Sequence, residues 1–341
     1  MAATAVTLLV HRDPSELGGM RKEWTALLGR SAINTVFQTW EWNHLWWKHF
    51  GHADRLLLLT VRDSGNEVLG IAPFFCDLDE GNRKRLQFIG STDLSDYLDF
   101  IVCREEEPPF YSALVEFLGA HPELWDKVDL HCLPENSPTL KGFRDRCSRK
   151  GFRENLTVED VCPQTALPSS WEEFLAGMTQ KERHEIRRKI NKIHREAEEY
   201  RYVTADSASF SKSIDAFLEL HRKSDTSKMA FMDQKKTRFF REMAWTFLQA
   251  GWLELSFLEA NHSKLASLLN FRYGGTVYVY NSGYDPQFGH WSPGWVLISH
   301  SIQDAIERGL RNYDFLRGNE SYKYRFRAKD SEIYRYTIHR Q

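Results

Sequence analysis

Near the end of the sequence, residues 312–323 read NYDFLRGNESYK and crowd Arg317, Glu320, Tyr322 and Lys323 onto the turn that follows a short apolar strand, Tyr313 to Leu316. A carboxylate, a phenol and two cations are groups that move protons and hold anions. Core strands end in plain turn chemistry, so a strand that ends in Arg-Gly and a charged turn reads as the floor of a site. Asp314, inside the strand, is expected to orient its neighbours.

A second constellation lies just upstream. Strand Val277 to Asn281 runs into Ser282, Gly283, Tyr284, Asp285 and Pro286, and a loop then reaches HWSPGWVLISHSIQDAIERG. Ser292 is expected to be an N-cap, Pro293 fits the first helical turn and Gly309 stops the helix, which spans about Pro293 to Arg308. The start of a helix gathers unpaired amides at the positive end of a dipole, and Gly294 there lets a ligand come close. An anion docks on such a start, although plain capping explains the same residues. If the strands on either side of this helix are neighbours, the helix start and the Arg317 turn open onto one cleft.

The elements that must position these groups belong to a chain of 341 residues, long enough for two domains. Its 42% apolar content supports real cores, and Lys+Arg 45 against Asp+Glu 47 leaves no whole-protein field to recruit nucleic acid. Cys76, Cys103, Cys132, Cys147 and Cys162 are far apart and form no C-x-x-C pair, as expected of reduced, mostly buried thiols. The N-terminus has no basic n-region and no stretch approaches about 18 apolar residues, so neither a signal peptide nor a membrane span is expected and the location is cytoplasmic by default.

The first half alternates strands and helices: a strand at Thr4 to Val10, a helix at Trp40 to Phe50 whose tryptophans fall at core spacing, and a hairpin over 55–75. The segment from Glu159 to Ser170, with Pro163 and Pro168, is the expected linker. It gives two domains, 1–165 and 166–341. Ser170 and Glu173 form a capping-box pair that opens one long helix from Trp171 to about Glu199. Its Lys181, Arg183, Arg187, Arg188, Lys189, Lys192 and Arg195 suit either a solvated face or phosphate contacts. Two helices and an antiparallel meander follow. Within the meander, Leu258 to Phe271 echoes Val61 to Phe74, so the chain reads as two copies of one α/β (α+β) fold. The last segment, Glu332 to His339, is expected to be an edge or closing strand.

Leu-His at 220–221, a small residue at Ala266, SGYDP at 282–286, SPG at 292–294 and YDFLRGNESYK at 313–323 occur in an order that resembles the CelD-type acyltransferases. These are a branch of the GNAT superfamily and are more distantly similar to the FemABX transferases. FQTWEW at 37–42, IAPFF at 71–75 and DYLDF at 96–100 resemble the same family's first half, so the resemblance covers nearly the whole chain. It implies tandem GNAT-like domains, the first degenerate, each with a mixed central sheet flanked by helices. It also implies transfer of an acetyl or longer acyl group from an acyl-CoA thioester to an amine or hydroxyl of a small molecule or of an envelope or polysaccharide precursor, with no metal. Ser292, Pro293, Gly294 and Trp295 would take the CoA pyrophosphate, although the loop lacks the Gly-rich signature of ordinary GNAT enzymes.

Acyl transfer needs a deprotonated acceptor, a polarised carbonyl and a protonated leaving thiolate. Within the resemblance Glu320 is the general base or ammonium-binding group and Tyr322 or Tyr284 is the acid. Arg317 or Lys323 meets an anionic group, and Asp314 and His221 complete the substrate side. Two other readings stand beside it: FemABX-like transfer from an aminoacyl-tRNA, supported by the basic helix, and a GNAT-fold binding module without catalysis.

Overall fold

The structure, a computed structural model, describes residues 5–340. Residues 1–4 and 341 lie outside the described residues, and with them the first residue of the strand expected at Thr4 to Val10. The chain divides into two compact units, Met1–Val161 with Ser331–Gln341 and Cys162–Asp330.

The first unit contains strands β1 (Thr7–His11), β2 (Leu56–Arg62), β3 (Val68–Leu78), β4 (Lys84–Phe88), β5 (Ile101–Val102), β6 (Lys127–Pro134) and β7 (Arg153–Val161). Helices α1 (Pro14–Gly19), α2 (Arg21–Leu28), α3 (Trp40–Phe50), α4 (Glu107–Ala120) and α5 (Thr139–Lys150) flank its sheet. Strands β1 to β4 form an antiparallel meander, and β6 adds in parallel beside β4. The tryptophans of α3 serve the core: Trp42, Trp46 and Trp47 are buried, and Trp42 Nε1 donates to Ser95 Oγ at 2.9 Å. Phe100, Phe110, Tyr111 and Phe143 stack edge-on or tilted to fill the core beneath α4 and α5. Four of the five cysteines are buried and all are free, as the spacing predicted.

The second unit contains β8 (Gln164–Ala166), β9 (Tyr200–Thr204), β10 (Leu253–Ala260), β11 (Ser263–Tyr273), β12 (Thr276–Tyr284) and β13 (Asn312–Asp314). Its helices are α6 (Trp171–Ala176), α7 (Gln180–Glu196), α8 (Phe210–Ser224), α9 (Thr226–Phe231), α10 (Gln234–Gln249), α11 (Pro293–Glu307) and α12 (Ser321–Tyr324). Strands β9 to β12 are again an antiparallel meander, and β13 adds in parallel beside β12. The sheet order β9-β10-β11-β12-β13 thus repeats β1-β2-β3-β4-β6. The echo read between Val61–Phe74 and Leu258–Phe271 falls on the β2–β3 and β10–β11 hairpins, equivalent elements of the two sheets.

Three local expectations change. The helix expected to run unbroken from Trp171 to Glu199 is two helices, because Gly177 ends α6 and Thr179 starts α7 with a reciprocal capping box to Glu182. The segment expected as a linker instead carries the end of β7 and β8, which pairs with β13. The last strand of the chain, β14 (Glu332–His339), does not close the second unit: it lies inside the first unit's sheet, between β6 and β7. The second compact unit therefore stops at Asp330 rather than running to 341. Arg335 on β14 shows why, donating to both oxygens of the buried Asp129 on β6 at 2.7 and 2.8 Å. Burial alone would raise the Asp129 carboxyl, but hydrogen bonds from Arg335, His131 and Lys127 outweigh it and hold the group far below the usual carboxylate range. No helix among the described residues is long and apolar enough to cross a membrane.

Candidate active site

Strand β12 pairs with β13 only over Thr276–Tyr278, opposite Asn312–Asp314. Beyond that point β13 ends, Leu316 takes a left-handed φ of 58° and the chain turns away. The remaining length of β12, through Tyr284, continues to pair with β11 on its other side. A register shift between Leu269 and Asn270 leaves Tyr280 as the extra residue of a bulge on β12, which bends the strand at the point where β13 leaves it. The result is a strand edge that no neighbouring strand pairs beyond Tyr278, beside a wedge where β12 and β13 part.

The alternation of an antiparallel ladder tells which groups face that gap. Asp285 N–H bonds Leu265 O at 2.9 Å, so Gly283 and Asn281 also turn their peptide groups toward β11. Ser282 and Tyr284 turn theirs toward the open edge. Tyr284 is exposed at its end.

The turn after β13 forms the opposite lip. Asp314 is buried and accepts the Leu316 N–H at 2.8 Å. Lys323 is buried too, and its Nζ donates to the carbonyls of Leu316, Arg317 and Gly318, each at 2.9 Å, with Glu320 Oε2 also at 2.9 Å. An ammonium has three hydrogens, and four oxygens already claim them. Lys323 therefore builds the turn and has no hydrogen left for the anion expected there. Glu320 keeps a side chain 58% exposed at the start of α12. Tyr322 is half-buried against Phe315, and burial together with Glu320 raises its phenol well above the ordinary value, so it stays protonated at neutral pH. Arg317 is half-buried on the same turn.

At the far end of β12, a loop over Pro286–Trp291 leads into α11. Ser292 occupies the N-cap position but not the N-cap role expected of it. Its backbone is left-handed, φ 51° and ψ 52°, and its hydroxyl makes no capping bond; capping needs an extended backbone there. Lys189 of α7 reaches the hydroxyl instead, at 2.8 Å, and lies 4.8 Å over the ring of Trp295. Lys192, one turn on, donates to His290 O at 2.8 Å. The basic helix and the SPG helix start, unrelated in sequence, thus meet. Pro293 is buried, a side chain at Gly294 would point into open space, and Trp295 packs on Phe326 from the turn after β13.

His221 lies behind β12. It is 1% exposed on α8, with Nε2 2.8 Å from Asn281 Oδ1. An amide oxygen only accepts, so Nε2 carries the proton and Nδ1, buried and without a partner, is left as an acceptor. Burial, then the nearby Lys228 charge, push the imidazole down to about 4. His221 therefore packs α8 against β12 as a neutral ring, and its place on the substrate side is behind the strand rather than on the gap. The sign of its linkage is definite. The unfolded chain binds this proton below about 6.5 and the folded one only below about 4, so stability is lost as pH falls through that window. Urea midpoints of the wild type should drop between pH 7 and pH 5 by more than those of His221→Phe.

Two residues of the site have structural roles that the motifs do not reveal. Gly283 lets α8 approach β12 so closely that a Cβ there would stand 2.4 Å from the His221 nitrogen. Lys228, on the one-and-a-half-turn helix α9, donates to Ser282 O at 2.7 Å, on the open edge of β12. A lone lysine between two helices gives sequence reasoning nothing to separate it from a surface residue; only the fold brings it to the strand.

A mixed sheet whose fourth and fifth strands part beside a helix start can be compared directly with known proteins. Residues 180–324 match the model of the acetyltransferase (GNAT) domain. The second unit has the GNAT acetyltransferase fold. The chain is similar in fold to FemX, at 12% identity, TM-score 0.66, with 93% of this chain and 95% of that one covered. It is similar also to the C-terminal domain of a putative lysylphosphatidylglycerol synthetase from Agrobacterium fabrum, at 8% identity and TM-score 0.58, covering 94% and 92%. A tandem GNAT protein from the clavulanic acid biosynthesis pathway aligns at 10% identity and TM-score 0.50, covering 98% of both chains. No curated protein matches the sequence. The fold is tandem GNAT, two mixed sheets flanked by helices.

Proposed function

We propose that the second unit transfers an acyl group from an acyl-CoA thioester to an amine or hydroxyl acceptor, as a CelD-type acyltransferase. The observation that carries this reading is the wedge between β12 and β13. An unpaired strand edge can take the amides of an extended pantetheine arm by the same hydrogen bonds that a neighbouring strand would use. The arm would then end its reacting thioester beside the Glu320 turn. At the other end, the start of α11 with Lys189 and Lys192 beside it offers amides and two cations to the pyrophosphate. Glu320, exposed on the lip, serves as general base for the acceptor, and the neutral phenol of Tyr322 or Tyr284 can give a proton. Arg317, half-buried on the same turn, is the residue assigned to an anionic part of the acceptor.

Calorimetry with CoA and acetyl-CoA tests the donor. Binding should be at least tenfold weaker in Gly294→Glu, whose new carboxylate enters open space and so spares the fold while opposing the phosphates. An unaltered affinity would remove the pyrophosphate from α11. The exposed side of α7, with Lys181, His184, Arg187 and Arg188, favours the FemABX-like alternative; tRNA binding without CoA binding would replace the acyl-CoA reading by it.

A further inference from the structure

Lys228 is the cation in the second unit whose surroundings least explain it. Its Nζ donates to Ser282 O at 2.7 Å and lies 3.4 Å from Ser282 Oγ, and no carboxylate stands within ion-pair distance of it among the described residues. A half-buried ammonium with at least one hydrogen unclaimed and no counter-ion is costly unless something else uses it. Lys323, on the turn after β13, shows the contrast: four oxygens surround it and its charge is spent on the turn.

The geometry adds direction. Ser282 is one of the residues whose peptide carbonyl faces away from β11, so Lys228 sits on the open edge of β12, inside the wedge. Charged and titratable groups reach it from each element around the wedge: Asp225 at the start of its own helix, the neutral His221 on α8, and Glu320 on the turn after β13. Burial lowers its affinity for a proton, and the fields of Asp225 and Glu320 only partly restore it. Such a lysine gives up its proton more readily than an exposed one.

We propose that Lys228 is the acid of the acyl-transfer step, donating its proton to the departing thiolate. This rests on the acyl-CoA reading above. The acceptor nitrogen forms its bond to the thioester carbon, and the carbon–sulfur bond breaks with its electron pair on sulfur. Lys228 protonates that sulfur, Glu320 takes the proton that the acceptor nitrogen sheds, and transfer from Glu320 back to Lys228 restores both groups. Tyr322, held protonated, is left free to position the acceptor.

Competitive labelling of the full chain tests the placement. Trace acetic anhydride is applied between pH 7 and 10, with and without CoA, lysine acetylation is read by peptide mass spectrometry, and CoA binding is measured by calorimetry in the same buffers. Lys228 should titrate below the exposed Lys212 and become protected by CoA. CoA binding that leaves Lys228 as reactive as before overturns the proposal and leaves the acyl-CoA reading standing; absence of CoA binding removes both. With acetyl-CoA and a panel of amines, Lys228→Met should release CoA about a hundredfold more slowly. Lys228→Arg should keep part of the rate and shift its alkaline limb to higher pH. A Lys228→Met enzyme of wild-type rate, or an alkaline limb that stays put in Lys228→Arg, would also sink it.

Discussion

Gly283→Ala should cost about 3 kcal/mol or more of stability and abolish any activity of the second unit. The added Cβ would lie 2.4 Å from the nitrogen of His221, 2.5 Å from the carbonyl carbon of Leu220 and 2.7 Å from the His221 Cα. All three are backbone atoms of α8, so no rotamer change can absorb the contact. The helix must move off β12, and the cluster it carries moves with it. The His221–Asn281 bond, which joins the helix to the strand, is the first to go. Lys228, on the short helix that continues from α8, is drawn off the edge of β12. A denaturant titration and a CoA calorimetry run read both losses. A variant with an unchanged urea midpoint would mean that α8 sits farther from the sheet than described. Gly294→Ala is the internal contrast: its Cβ meets nothing within 4 Å and should leave stability almost unaltered.

Lys323→Met should cost on the order of 3 kcal/mol. It leaves the carbonyls of Leu316, Arg317 and Gly318 without their common donor in a buried turn. The turn is also the strained part of the site, with Leu316 at φ 58° and Gly318 at φ 108°. Once the converging hydrogens of Lys323 are gone the backbone must relax, and the Glu320 lip with it. Lys323→Arg should not rescue the loss, because a planar guanidinium fork cannot place its hydrogens on three convergent carbonyls. Urea midpoints of the two variants at pH 7 check this, and a full rescue by arginine would contradict the convergent geometry.

These two residues also mark where the sequence was legible and where it was not. The turn 312–323 was conspicuous because charge seldom crowds a strand end, and in the structure that charge follows the end of β13. The roles inside it were not legible. Lys323 and Arg317 look alike in a string of letters, yet one is enclosed by backbone carbonyls and the other is only half-buried. Ser292 reads as an N-cap by residue type, but residue type does not fix φ, and a left-handed backbone turned its hydroxyl to Lys189 instead. The basic stripe on α7 was compatible with solvent or with phosphate; only packing against α11 separated Lys189 and Lys192 from the exposed cations around them.

The sequence by itself determined what depends on neighbours along the chain. Periodicity and caps gave the helices at Trp40–Phe50 and Gln234–Gln249, and turn residues gave the β10–β11–β12 meander. The repeated hairpin gave the tandem architecture. Tertiary structure alone decided what depends on residues far apart: the strand from 332 to 339 returning between β6 and β7, the glycine that brings α8 onto β12, and the lysine of α9 on the open strand edge. Local hydrogen bonding and hydrophobic period act over a few residues and leave their mark in the letters. A close approach or an unpaired ammonium is a property of space shared by distant segments, and the letters of each segment are the same whether or not the other is there.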